Sequence, residues 1–212
     1  MNNTARIKRI LEHYQNGRFD KAEELALLMT VEFPDHPLPW KVLGAIFSQT
    51  GRKSEAINVN QKAIQLAPDD PKAHNNLGIT FQEQGRFNEA EASFRKSILL
   101  KSDFFEAYNN LGITFQKQGR FNEAEESYRQ SILLKADFFD VHNNLGVTLQ
   151  EQGRFDEAEA SFRQSILLKG DNAGAYNNLG NLLKKLSRFD EAEASFRQSI
   201  LLKGDNAGAH TI

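Results

Sequence analysis

The sequence predicts an all-α solenoid, a stack of helix pairs that recur every 34 residues. Three columns carry the prediction. Leu-Gly returns as Leu43-Gly44, Leu77-Gly78, Leu111-Gly112, Leu145-Gly146 and Leu179-Gly180. A second glycine keeps step at Gly17, Gly51, Gly85, Gly119 and Gly153, with Ser187 in the sixth place. Alanine does the same at Ala22, Ala56, Ala90, Ala124, Ala158 and Ala192. A unit this short cannot bury its apolar face alone, so the stack is what folds.

Each repeat reads as two helices. The first carries apolar residues at helical spacing, as in Tyr108, Leu111, Gly112 and Phe115. It stops at a glycine such as Gly119, which tolerates the left-handed conformation just past a helix end. The second helix is expected to open on a capping box. Asn88, Asn122, Asp156 and Asp190 are each followed three residues later by Glu91, Glu125, Glu159 or Glu193. That helix buries Ala124, Tyr128, Ser131 and Ile132 and ends near Lys135. An aromatic column, Phe94, Tyr128, Phe162 and Phe196, fills the gap beside the Leu-Gly glycines, with Asn60 in the matching place of an earlier unit. The next unit opens at Asp137, or at Asp70-Pro71, where proline suits a first helical turn.

The chain has 212 residues, 40% apolar and 25% charged, with a net charge of −2. That balance disfavours nucleic acid, which needs a basic face to displace counterions, and a polybasic membrane patch. Without cysteine, disulfides, thiolate metal sites and cysteine nucleophiles are excluded. No signal-peptide core and no apolar run near the roughly 20 residues of a membrane helix are seen. The expected protein is soluble and cytoplasmic, with no membrane partner.

The segment Trp40-Lys41-Val42-Leu43-Gly44-Ala45-Ile46-Phe47, continued by Ala56 and Pro68, resembles the tetratricopeptide-repeat (TPR) signature, with Phe47 where tyrosine is usual. Five units match it, 37–70, 71–104, 105–138, 139–172 and 173–206. Residues 1–36 resemble a degenerate capping unit, with Arg9-Ile10 in place of Leu-Gly, and 207–212 the opening of a further one. The resemblance implies a right-handed superhelix of antiparallel helix pairs. It also implies a concave side lined by first helices, which grips a peptide or protein ligand.

The columns expected on that side are Asn76, Asn110, Asn144 and Asn178, then Ile79, Ile113 and Val147, then Gln82, Gln116 and Gln150, with Asn181 and Lys184 departing in the last unit. Amides donate and accept, so a row of them can pair with a peptide backbone whatever its sequence. The arrangement is similar to the asparagine ladder of the O-linked N-acetylglucosamine transferase superhelix, where matching asparagines bind substrate backbone. Asparagine also precedes each of these, at Asn75, Asn109, Asn143 and Asn177, so at least one column is expected to pack against neighbouring helices. Tested against the family's carboxylate clamp, Lys41 and Asn76 fit. Ala45, Glu106 and Asn110 do not, so a chaperone tail is not the expected ligand.

No catalytic constellation, metal set or cofactor motif is present, and no enzyme is expected. His74 and His142 share a column with Trp40, Tyr108 and Tyr176 and read as packing residues. Within Phe104-Phe105 and Phe138-Phe139, one ring is expected in the inter-unit seam and the other exposed. The last helix, with Ile200 and Leu201, lacks a following unit. An apolar C-terminal face is therefore expected, through which copies stack into a homo-oligomer. The expected function is a non-catalytic scaffold. The alternative is the substrate-recruiting region of a larger bacterial enzyme of glycosyltransferase, sulfotransferase or oxygenase type, which the broken-off last unit suggests.

Overall fold

A glycine every 34 residues, each at the end of a helical stretch, cuts the chain into short helices joined by tight reversals. The computed structural model describes residues 3–208, and side chains for residues 4–204. Among the described residues there are twelve helices and no strand. They are α1 (Asn3–Gln15), α2 (Phe19–Glu32), α3 (Pro37–Gln49), α4 (Lys53–Leu66), α5 (Pro71–Glu83), α6 (Phe87–Leu100), α7 (Phe105–Lys117), α8 (Phe121–Leu134), α9 (Phe139–Glu151), α10 (Phe155–Leu168), α11 (Ala173–Lys185) and α12 (Phe189–Gly208). The expected further unit at 207–212 falls on side chains outside this description, and 209–212, His210 included, lie outside the described residues.

The chain forms two compact units, Met1–Ala107 and Tyr108–Ile212, divided within α7. In the first, α1, α3 and α5 pack on one another in order, and each packs on its own second helix, α2, α4 or α6. In the second, α9 packs on α11, and the pairs α9/α10 and α11/α12 form the same hairpins.

The reversals follow from the glycine column. Gly51, Gly85, Gly119 and Gly153 have φ between 73° and 77°. The N–H of the next residue reaches back five positions, as in Arg52 to Phe47 O at 2.8 Å and Arg120 to Phe115 O at 2.9 Å, the Schellman closure. Ser187 holds the same turn at φ 61° with a side chain attached. That conformation costs an L-residue about 1–2 kcal/mol. Ser187→Gly is therefore expected to stabilise the second unit by about 1 kcal/mol, read as a higher thermal midpoint.

The expected capping boxes do not form. The second helices begin two residues earlier, so their N-caps are Arg52, Arg86, Arg120 and Arg154, which make no side-chain capping bond. A guanidinium cannot accept the N–H bonds a cap must satisfy. It does other work instead. Arg52, Arg86 and Arg120 lie 3.9, 4.4 and 4.2 Å from the ring centroids of Phe47, Phe81 and Phe115. Each arginine also pairs with a glutamate three residues on, as Arg154 does with Glu157 at 2.6 Å. First helices are capped as read at Asp70, whose carboxylate accepts from Lys72 N–H at 2.9 Å. By contrast α9 starts after Phe138, not at Asp137, with no side-chain cap.

Inside each hairpin a bulky side chain meets a missing one. A Cβ placed on Gly112 would lie 2.6 Å from Tyr128 Cε1, and one on Gly146 2.6 Å from Phe162 Cε1. Tyr128 and Phe162 are fully buried. The first hairpin solves the same problem with the roles exchanged. Ile10 occupies the glycine position and Ala26 the aromatic one, and both are fully buried in one core cluster. What reads as a worn repeat is a volume-conserving swap.

The second hairpin departs differently. Asn60 is fully buried in the aromatic column and gives its Nδ2 to Thr80 Oγ1 at 3.1 Å, while its Oδ1 has no partner.

Candidate peptide-binding faces

The stacking of first helices sets the two asparagine columns side by side. Asn75 and Asn109 are 7% and 6% exposed, while Asn76, Asn110, Asn144 and Asn178 are half-buried. In the second unit the columns are tied together across repeats. Asn144 Nδ2 donates to Asn109 Oδ1 at 3.1 Å, and Asn178 Nδ2 to Asn143 Oδ1 at 3.0 Å. Each bond links one first helix to the next. These asparagines therefore have a packing role, which leaves Asn144 and Asn178 a carbonyl oxygen and one N–H each. Pairing across 35 residues is visible only in three dimensions.

Each unit has an open recess on its first-helix face. In the first unit, one of about 460 Å³ is lined by Leu11, Tyr14 and Leu38, by Lys41, Asn75 and Asn76, and by Phe104 and Glu106 among others. Lys41 is ion-paired with Asp70. Burial pushes the Asp70 carboxyl up, but Lys41 and the N–H groups of Lys72 and Ala73 outweigh it and hold it below its ordinary range. Lys41 is thus already engaged, and Ala45 and Glu106 line the same recess. Lys72, exposed on the same lining, is the cation the recess keeps for an incoming carboxylate, beside the opposing charge of Glu106.

In the second unit, a recess of about 480 Å³ is lined by Ile113, Gln116, Lys117, Phe121, Asn144, Val147 and Glu151. Of the expected site residues, Asn76 therefore lines the first recess, and Ile113, Gln116, Asn144 and Val147 come together in the second. Asn110, Asn178, Ile79, Gln82 and Gln150 line neither, though all are half-buried on the first helices. Asn181 and Lys184 are exposed. Gln116 also has a role that the repeat columns did not suggest. Its Oε1 accepts the phenol of Tyr128 at 2.8 Å, and burial pushes that phenol up so that it stays protonated. The signal was one tyrosine in a phenylalanine column.

Several neighbouring features are structural. His74 Nε2 pairs with Pro68 O at 2.8 Å and His142 Nε2 with Ala136 O at 2.9 Å. Trp40 donates its indole N–H to Pro34 O at 3.0 Å in the same position. The histidines stand in for tryptophan as donors to a carbonyl six residues back. No group of three or more His, Asp or Glu among the described residues could hold a metal ion. Phe104 is buried, but Phe105, Phe138 and Phe139 are all half-buried, so neither pair leaves a fully exposed ring. Phe139 lies under Lys169, 4.5 Å from its ring centroid.

Arginines at the starts of the second helices carry ion pairs between repeats. Arg52 reaches Glu23 at 2.6 Å, Arg154 reaches Glu125 at 2.6 Å, and Arg188 reaches Glu159 at 2.5 Å, each from one repeat to the one before. Glu125 and Glu159 are the residues the sequence placed in capping boxes. Burial pushes both carboxyls up, but the arginines outweigh it and hold them low. A carboxyl held low in the fold stabilises at pH above its unfolded value, about 4.3. That contribution is lost as pH falls through the folded value. The thermal midpoint is therefore expected to drop more steeply below about pH 4 in the wild type than in an Arg154→Gln, Arg188→Gln double variant.

Exposed leucines also recur on the second helices. Leu99, Leu133 and Leu167 are each 78% exposed. Leu201, at 60%, belongs to this column and is no consequence of a missing unit. Ile200 is different. It is 68% exposed, whereas Ile98, Ile132 and Ile166 are half-buried. No helix among the described residues is long and apolar enough to cross a membrane.

Helix hairpins stacked by a fixed glycine, alanine and aromatic register define a repeat-scaffold protein. Family models for the tetratricopeptide repeat match residues 44–85, 71–104, 105–138 and 137–203, and the chain belongs to that family. No curated protein matches it. Solved structures share the fold. MamA is 24% identical over 78% of this chain and 96% of its own, with a TM-score of 0.68. PilF of Pseudomonas aeruginosa is 20% identical over 91% of this chain and 87% of its own, with a TM-score of 0.80. YrrB, described as a TPR protein with an unusual peptide-binding site, is 18% identical over 87% of this chain and 95% of its own, with a TM-score of 0.65.

Proposed function

We propose that this chain is a non-catalytic protein-interaction scaffold that holds segments of another polypeptide on the first-helix faces of its two units. The observation that carries this reading is the composition of the recesses. Aliphatic side chains sit beside half-buried amides, which suits a backbone to pair and a side chain to seat. The peptide-binding site named for YrrB supports the reading at the level of the fold.

A peptide selected from a random displayed library on the whole chain tests it. Asn76→Ala with Asn144→Ala removes one amide from each recess. Each lost hydrogen bond is worth about 1 kcal/mol, so the pair should weaken a selected peptide about tenfold or more. Unchanged affinity would remove the amides from the mechanism. Failure to select any binder would remove the scaffold reading.

Self-association is a second reading, favoured by Phe189 at 64% and Ile200 at 68% exposure on the last hairpin. It predicts a mass that rises with concentration and is suppressed by Ile200→Ser. A constant monomer contradicts it.

A further inference from the structure

The second-unit recess has a built-in polarity, whose use as a subsite rests on the peptide-binding reading of this face. Gln116 and Asn144 line the recess with their amides committed in opposite senses. Tyr128 occupies Gln116 Oε1 from beneath at 2.8 Å, so Gln116 offers its NH2, a donor. Asn144 gives an N–H to Asn109 at 3.1 Å, which leaves its Oδ1 as an acceptor. An extended backbone presents both a carbonyl and an N–H, in an order fixed by chain direction. Ile113 and Val147 line the same recess with aliphatic side chains.

The rim adds charge. Lys117 and Glu151 hold the same position in successive repeats, and both are exposed. The column reads Glu83, Lys117, Glu151, Lys185, although the second helices of these repeats are close to copies of one another. Duplication alone would have copied one charge. Side chains on one face of an extended strand recur every second residue.

We propose that this recess is a directional subsite for an extended segment carrying an aliphatic residue, with an acidic residue two positions to one side and a basic residue two positions to the other. The acid meets Lys117, the base meets Glu151 and the aliphatic side chain seats on Ile113 and Val147. Opposed charges at the two edges select one chain direction.

Two capped probe peptides test this, Glu-Ser-Val-Ser-Lys and its reverse, Lys-Ser-Val-Ser-Glu. They are titrated into the isotope-labelled full chain while the side-chain amide signals of Gln116 and Asn144 are followed. One order is expected to bind about fivefold tighter than the other. The Lys117→Glu, Glu151→Lys double variant is expected to invert the preference. Tyr128→Phe keeps a ring that the Phe94 and Phe162 positions already use. It should weaken the favoured probe while the backbone spectrum stays that of the folded chain. Equal binding of both orders, or a preference unchanged by the charge swap, overturns the directional subsite and leaves the scaffold reading standing. Absence of any shift at Gln116 and Asn144 with either probe overturns both for this unit.

Discussion

Replacing Tyr128 by alanine is expected to cost about 3–5 kcal/mol of unfolding free energy. The ring is fully buried against Gly112, whose missing Cβ leaves room for it. Removing the ring opens a cavity between α7 and α8 that neither helix backbone can close by moving alone. It also strips Gln116 of the phenol its Oε1 accepts. Against a total stability of typically about 5–15 kcal/mol, that loss is large. It should appear as a lower urea midpoint with an unchanged slope. A midpoint within experimental error of the wild type would mean that α8 is not held by this contact.

The second large effect is a coupling. Phe162→Ala alone is expected to cost about 3–5 kcal/mol, and Gly146→Ile alone about 1–3 kcal/mol or more from overpacking against the Phe162 ring. Made together, they recreate the Ile10 and Ala26 pairing of the first hairpin. The double variant should therefore be more stable than the sum of the singles predicts, by about 1–3 kcal/mol in a double-mutant cycle. Strict additivity would show that Ile10 and Ala26 do not exchange volume in the way their burial indicates.

That pair also shows where reading the sequence succeeds and where it stops. The register of Leu-Gly, glycine and alanine was legible because turn conformation and close helix approach tolerate few residue types. The first repeat read as degenerate because a swap of volume between two helices looks, in one column, like the loss of a motif. The capping boxes were misread for a similar reason. Spacing alone did not show that Arg86, Arg120 and Arg154 sit at the N-caps, nor that Glu125 and Glu159 reach out to the arginine of the next repeat.

The binding face was legible only as columns. Asn144 and Asn109 are 35 residues apart, and nothing in a single repeat says which amide packs and which faces outward. Gln116 and Tyr128 were each in view, but the bond between them depends on how α7 and α8 cross. Leu99, Leu133 and Leu167 recur at the 34-residue period, but their exposure shows only once the second helices are packed.

Chemical-shift mapping with a library-selected peptide decides which helix face holds the ligand. Binding on the first-helix faces predicts that the largest shifts fall at Asn76, Ile113, Asn144 and Val147. Shifts concentrated at Leu133 and Leu167, on the second helices, would contradict it.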